Sequence, residues 1–348
     1  MTVESFVRAL PKVALHLEIE TATPRETMLM FADQNEIGAS VKRFDKWLKL
    51  YDDPDFRKPD DLREMLQSWL VYGDDLVRAV YDIGVALSKD NVRYAEISVN
   101  PLSFVSNTLT FDSFLEALND GRDRAERAWG VKMRWIMRVP RAEPRRANEV
   151  VRWATSATAK KGGVVGLSLT GHDSSVTLDQ FERVFGVADK KGLSRSANLL
   201  ENDDIDEAID LLGLQTVMSA WGLVDSPETM ALMAEKGIAL CVNPMDDLMR
   251  GHVRDLGNYP MEGLLAGGMP LVISPIMPTL YKTQLSDLYL RLIEKDLMTL
   301  AQVEQAVETA MSQAHLPEDE KESLKMMYEV EHEVLREEHL EAAETEGE

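Results

Sequence analysis

The chain has 348 residues, 45% of them hydrophobic, and carries 38 Lys and Arg against 60 Asp and Glu, a formal net charge of −22. That length and apolar content suit a globular protein with a sizeable core, not a disordered chain. The acidic balance argues against a nucleic-acid surface, the single Cys241 excludes a disulfide framework or a CxxC zinc site, and no apolar run reaches the roughly 18–20 residues that cross a bilayer.

The first residues, MTVESFVRALPKVAL, lack a long apolar segment ending in a small-residue cleavage site, so a cytoplasmic protein is expected. Eight short apolar, β-branched runs then alternate with longer segments of helical period. The runs are Val13–Leu17, Val92–Val99, Val131–Val139, Gly163–Leu169, Ser194–Ala197, Thr216–Met218, Ile238–Val242 and Pro270–Ser274. The stretch 25–72, after the first run, reads as a helical insertion whose Phe44, Trp47, Leu48 and Leu50 face the barrel mouth.

Helices are predicted over Phe111–Trp129 after Thr110, over Asn148–Lys160, and over Leu178–Lys191 with Thr177 and Gln180 spaced as a capping box. Another is predicted over Pro227–Lys236, with Ser226 as N-cap and Gly237 as stop. Such alternation implies parallel strands joined by right-handed crossovers. Eight units predict a TIM (β/α)8 barrel, with an open doubly wound sheet as the alternative.

Nothing divides the chain, so residues 1–340 read as one domain. Within it, 317–340 forms an acidic C-terminal helix on which Leu324, Met327, Tyr328, Val330, Val334 and Leu335 recur at three- and four-residue spacing. The segment Glu318–Glu348 holds 13 acids and 3 bases, and its last eight residues, EAAETEGE, read as a solvated tail.

In such a barrel the chemistry sits at the C-terminal strand ends. Those ends offer His16, Glu18 and Glu20, which period-2 alternation places on one face, then Gly171-His172-Asp173, Asn198 to Glu201, Ser219, and Asn243 to Asp247. The opening LPKVALHLEIETATPRETM resembles that of the adenosine/adenine deaminase family, whose motif is LPKxELHxHLDGxxxPET. VRYAEISVNP, VVGLSLTGHD, SPETMALMAEKGIALCVNPMDDL and MEGLLAGGMPLVIS are similar to family segments in the same order, over roughly residues 8–315.

The resemblance implies a metal-dependent hydrolase barrel with one zinc or similar ion. An HxH pair, a strand-5 His and a strand-8 Asp would hold it, aided by a catalytic Glu and a water-activating His. Carried over residue by residue, the metal positions are His16, Glu18, Asn198 and Ile276, of which only His16 matches. Glu201 matches the catalytic Glu, and Ser219 replaces the family His. Glu20 and Gly171 fall on substrate-contact positions.

The six His residues, at 16, 172, 252, 315, 332 and 339, offer no substitute near strands 5, 6 or 8. Leu199, Leu200, Ile276 and Met277 are expected to fill the space of metal and purine. The expectation is therefore a catalytically degenerate pseudoenzyme. It would be metal-free, with a protein partner or a small purine-like ligand, no nucleic acid or membrane, and room for homo-oligomers. The alternative is a hydrolase of altered chemistry, or residual aminopurine deaminase activity, using zinc or another divalent ion.

Overall fold

The computed structural model describes residues 2–40, 45, 48–49, 51, 59–106, 109–171, 174–199, 203–218 and 222–341. Eight parallel strands pair in sequence order, β1 with β2 through β7 with β8. They are β1 Lys12–Glu18, β2 Val92–Val99, β3 Lys132–Pro140, β4 Val164–Thr170, β5 Ser194–Asn198, β6 Thr216–Met218, β7 Ala239–Val242 and β8 Leu271–Ile273. The barrel closes through side-chain and loop contacts. Glu18 N–H donates to the Ile276 carbonyl at 3.0 Å, and the Ser274 hydroxyl donates to the Leu15 carbonyl at 2.5 Å.

All eight predicted strands are present, each within one or two residues of its expected bounds. Apolar strand faces bury Trp135, Ile97 and Leu167 under the helical shell, as parallel strands covered by crossover helices require. Helices Gly73–Lys89 and Phe111–Trp129 pack closely beside β2 and β3. Their approach depends on Gly121, where an added Cβ would lie 2.5 Å from the Val77 carbonyl oxygen.

Several helical details differ from expectation. The segment predicted over 148–160 is two helices, Ala147–Ala154 and Ala157–Lys161, because the Ser156 side chain accepts from Ala159 N–H and starts the second one. Leu178–Phe181 is a 3₁₀ turn leading into Glu182–Lys190. Thr177 makes no capping bond there and instead accepts a long hydrogen bond from Gln180 at 3.4 Å. Ser226 precedes helix Pro227–Lys236 without a side-chain cap, while Gly237 ends it in the left-handed region at φ 66°.

The acidic helix runs over Glu318–Arg336 and finishes in one π turn, Glu337–Glu341. Its Tyr328 is buried, but Val330 and Val334 are exposed, so two of the six residues of the predicted apolar face meet solvent. Residues 342–348 of the expected tail, and Phe44, Trp47 and Leu50, lie outside the described residues. Among the described residues no helix is long and apolar enough to cross a membrane.

Candidate active site

Strand β1 delivers Glu18 at its last position, and the short helix Ile19–Ala22 follows at once, so Glu20 sits in a helical turn. Period-2 alternation fails just before this point. His16 has φ +60°, an uncommon conformation for a residue with a side chain, and the β1–β2 register shifts between Ala14 and Leu17. Glu18 therefore does not pair with His16.

Both carboxylates meet Arg138, which lies on β3 two residues before its end. Arg138 Nη2 donates to Glu20 Oε1 at 2.6 Å and Oε2 at 2.7 Å, and Nη1 lies 3.2 Å from Glu18 Oε1. A second guanidinium, Arg63, arrives from helix Pro59–Gln67, placing Nε 3.7 Å from Glu18 Oε2 and Nη1 3.9 Å from Glu20 Oε1. Arg63 thus brings the helix Pro59–Gln67 beside the C-terminal end of β1.

The ion network continues across the mouth. Arg63 faces Asp60 at 3.6 Å, and Arg250 bridges Asp60 at 2.7 Å and Asp246 at 2.8 Å. Tyr281 donates to Asp246. Asp247 receives Tyr259 and faces His252 Nδ1 at 3.0 Å. Helix Pro244–Arg250 is capped by Asn243, whose side chain accepts from Met245 and Asp246 N–H.

Electrostatics single out Glu18. Burial pushes its carboxyl above the usual carboxylate range, against the opposing pull of Arg63 and Arg138. Its Oε2 is buried without a hydrogen-bond partner, as are Nε and Nη1 of Arg138 and Nε of Arg63. Buried polar atoms left unpaired in this way are uncommon and costly. His16 is different: burial holds its imidazole down at a pKa of about 4, so it is neutral near pH 7. Behind it, Glu96 accepts from the His315 backbone N–H at 2.6 Å and faces His315 Nδ1 at 3.1 Å.

The other sequence-predicted positions divide. Asn198 ends β5, and Ile276 is buried beyond β8 in the left-handed region at φ +47°, a genuine outlier for a β-branched residue. Gly171, after β4, has φ +111°, which only glycine adopts easily. Glu20 is fully buried, with both oxygens on Arg138. Leu199, Ile276 and Met277 are buried. Glu201, Ser219, Leu200, His172 and Asp173 lie outside the described residues.

Sequence reading missed Arg138, Arg63 and the pair Arg141–Asp203, in which two guanidinium nitrogens reach the carboxylate at 2.5 and 2.8 Å. The available signal was the charged residue near the end of the apolar run KMRWIMRVP. An arginine at the C-terminal end of a barrel strand stands where function is housed.

Eight parallel strands with acid–base groups at their C-terminal ends define a hydrolase-type barrel. The match to the Adenosine deaminase family model spans residues 11–330, and the chain belongs to that family. It is 25% identical over 290 residues to the aminodeoxyfutalosine deaminase of Streptomyces coelicolor, covering 82% of this chain and 75% of the relative. It is 26% identical over 332 residues to the adenosine deaminase of Enterococcus faecalis, covering 92% and 96%. Among solved structures it is similar to an amidohydrolase from Burkholderia ambifaria with bound zinc. There the TM-score is 0.85 at 24% identity, covering 97% and 95% of the two chains.

These relatives correct the expectation of a pseudoenzyme. They are named as deaminases and align over most of their own length, which favours the alternative reading, a hydrolase acting on a C–N bond. The zinc of the family does not fit this chain's donor set. Glu18 is engaged by two guanidiniums, Asn198 offers a neutral amide and Ile276 has no donor atom. Among the described residues no cluster of three or more His, Cys, Asp or Glu has the geometry of a metal site.

Proposed function

We propose that this chain is a deaminase of altered chemistry, hydrolysing the exocyclic C–N bond of an aminopurine-like substrate with guanidinium groups where its relatives place a metal. One observation carries the reading. Glu18 Oε2 and the Nε and Nη1 of Arg138 are all buried without a hydrogen-bond partner, and Nη1 lies only 3.2 Å from the other Glu18 oxygen, Oε1. An amidine edge offers the complement, since its exocyclic amine donates and its ring nitrogen accepts.

In this arrangement Arg138 stabilises the electron pair that moves onto the ring nitrogen when water adds to the amino-bearing carbon. Glu18 takes a proton from that water as the C–O bond forms. It returns the proton to the departing amine as the C–N bond breaks, and the hydroxyl proton passes to the ring nitrogen that held the electron pair, so that ammonia leaves and a ring carbonyl beside an N–H remains. A carboxyl raised by burial suits both transfers.

The test is ammonia release from adenine, adenosine and related aminopurines, with and without a chelator, alongside metal analysis of the purified protein. Release that survives chelation and disappears in Glu18→Gln is the expected result. Activity that tracks about one zinc per chain, or release unchanged in Glu18→Gln, overturns the reading.

A further inference from the structure

The opposite end of the barrel holds a second cleft that the proposed reaction does not use. It opens at the N-terminal ends of β3, β4 and β5, has a volume of about 1100 Å³, and is walled on one side by the turn Ala314–Pro317 and the start of the acidic helix. Seven of its lining side chains are Lys or Arg and two are Glu. In a chain of net charge −22 this concentration of positive charge is anomalous, because the cations repel one another without a counter-charge.

The protein neutralises only part of it. Glu320 takes Lys132 at 3.2 Å and Arg134 at 3.4 Å, and Arg122 pairs with Asp123 and donates to the Gly162 carbonyl. Lys160, Lys161 and Lys191 are exposed at the rim, with no ion pair among the described residues. The volume exceeds what a single phosphate ion needs and lies at the upper end for small-molecule sites.

We infer that this cleft binds a small polyphosphate-bearing anion, with Lys160, Lys161 and Lys191 holding the phosphates. The ligand sits at the end of the barrel remote from Glu18 and Arg138, so it is not the substrate of the proposed reaction. An acidic protein segment is the less suited occupant, because it would extend beyond the cleft over a surface of like charge, whereas a small anion is confined to the basic lining. The turn that walls the cleft also carries His315, whose contacts reach Glu96 inside the barrel.

Calorimetric titration of the whole protein with pyrophosphate, and separately with adenosine diphosphate, tests the site. The expected result is saturable binding of at least one probe that weakens as salt is raised. The variant K160E/K161E/K191E, which alters only exposed side chains, weakens it by about tenfold or more. Tighter binding of the nucleotide identifies a nucleoside phosphate, and equal binding identifies phosphate recognition alone. Binding unchanged in the triple variant, or lost instead in Glu18→Gln, overturns the assignment. So does the absence of saturable binding by either probe, or a heat that reports only salt-sensitive self-association.

Discussion

A single nitrogen of Arg138, Nη2, holds both carboxylate oxygens of Glu20, at 2.6 and 2.7 Å. The grip leaves Nη1 turned toward Glu18 and Nε without a partner. Glu20 thereby anchors the guanidinium while Glu18 remains the carboxylate with spare hydrogen-bonding capacity. In the proposed reaction the pair divides the two acids of β1 and its following turn into one that positions and one that reacts.

Breaking that grip is costly. Both side chains are fully buried, so Arg138→Met leaves the Glu20 charge without its main partner and lowers stability by about 3–5 kcal/mol. The double variant Arg138→Met with Glu20→Gln removes the uncompensated charge and recovers much of that loss. Urea denaturation of the parent, Arg138→Met, Glu20→Gln and the double variant checks this. Additive losses would show that the two groups are not energetically coupled.

Glu18→Gln keeps the shape of the side chain and removes its basicity. Removal of a general acid–base group lowers kcat by about 10²–10⁴-fold, with a smaller change in KM. Because burial raises the carboxyl above its ordinary value of 4.5, the acidic limb of kcat/KM lies above that value in the parent protein. A pH profile of ammonia release measures both effects. An acidic limb at or below the ordinary carboxylate value would remove Glu18 from the proton-transfer role.

The barrel was legible because parallel strands buried on both faces leave continuous apolar runs, and β2 and β6 took their predicted bounds. For the site, residue type alone carries chemistry only at single positions, as at Ile276, which has no donor atom to offer. Arg63 and Arg138 are 75 residues apart in the chain and meet only when the insertion folds over the strand ends. Alternation also misled at His16. It assumes a regular pleat, and the left-handed backbone at His16 and the register shift beside it break that pleat.

The depressed imidazole of His16 has a consequence for stability against acid. Its pKa is about 4 in the folded chain and 6.5 when free. Above pH 6.5 both states are neutral and the residue contributes no slope. As pH falls from about 6.5 to about 4, the unfolded chain gains a proton that the folded chain refuses. Stability then drops by up to about 3 kcal/mol.

His315 acts in the opposite sense. Burial lowers its pKa, but the Glu96 carboxylate more than offsets this and raises it overall. Its stabilisation is full below about 6.5 and fades as pH rises through the folded value. Urea melts across this window are expected to show a shallower loss in His16→Asn than in the parent. Parallel profiles would mean that the imidazole is not depressed.

The last prediction concerns the metal positions. Glu18→His, Asn198→His and Ile276→Asp together place the family's donor types beside His16. Asp is also better suited than Ile to the left-handed backbone at φ +47°. Donors alone are not expected to suffice while Arg138 remains. Two unit charges 4 Å apart at an effective dielectric of 20 interact by about 4 kcal/mol, and a divalent ion doubles that repulsion. The triple variant should therefore take up little zinc, whereas adding Arg138→Ala should bring uptake toward one ion per chain. Equilibrium dialysis followed by metal analysis separates the two. Full occupancy in the triple variant would show that the guanidinium does not keep the ion out, and that the lost donors alone distinguish this chain from its zinc-binding relative.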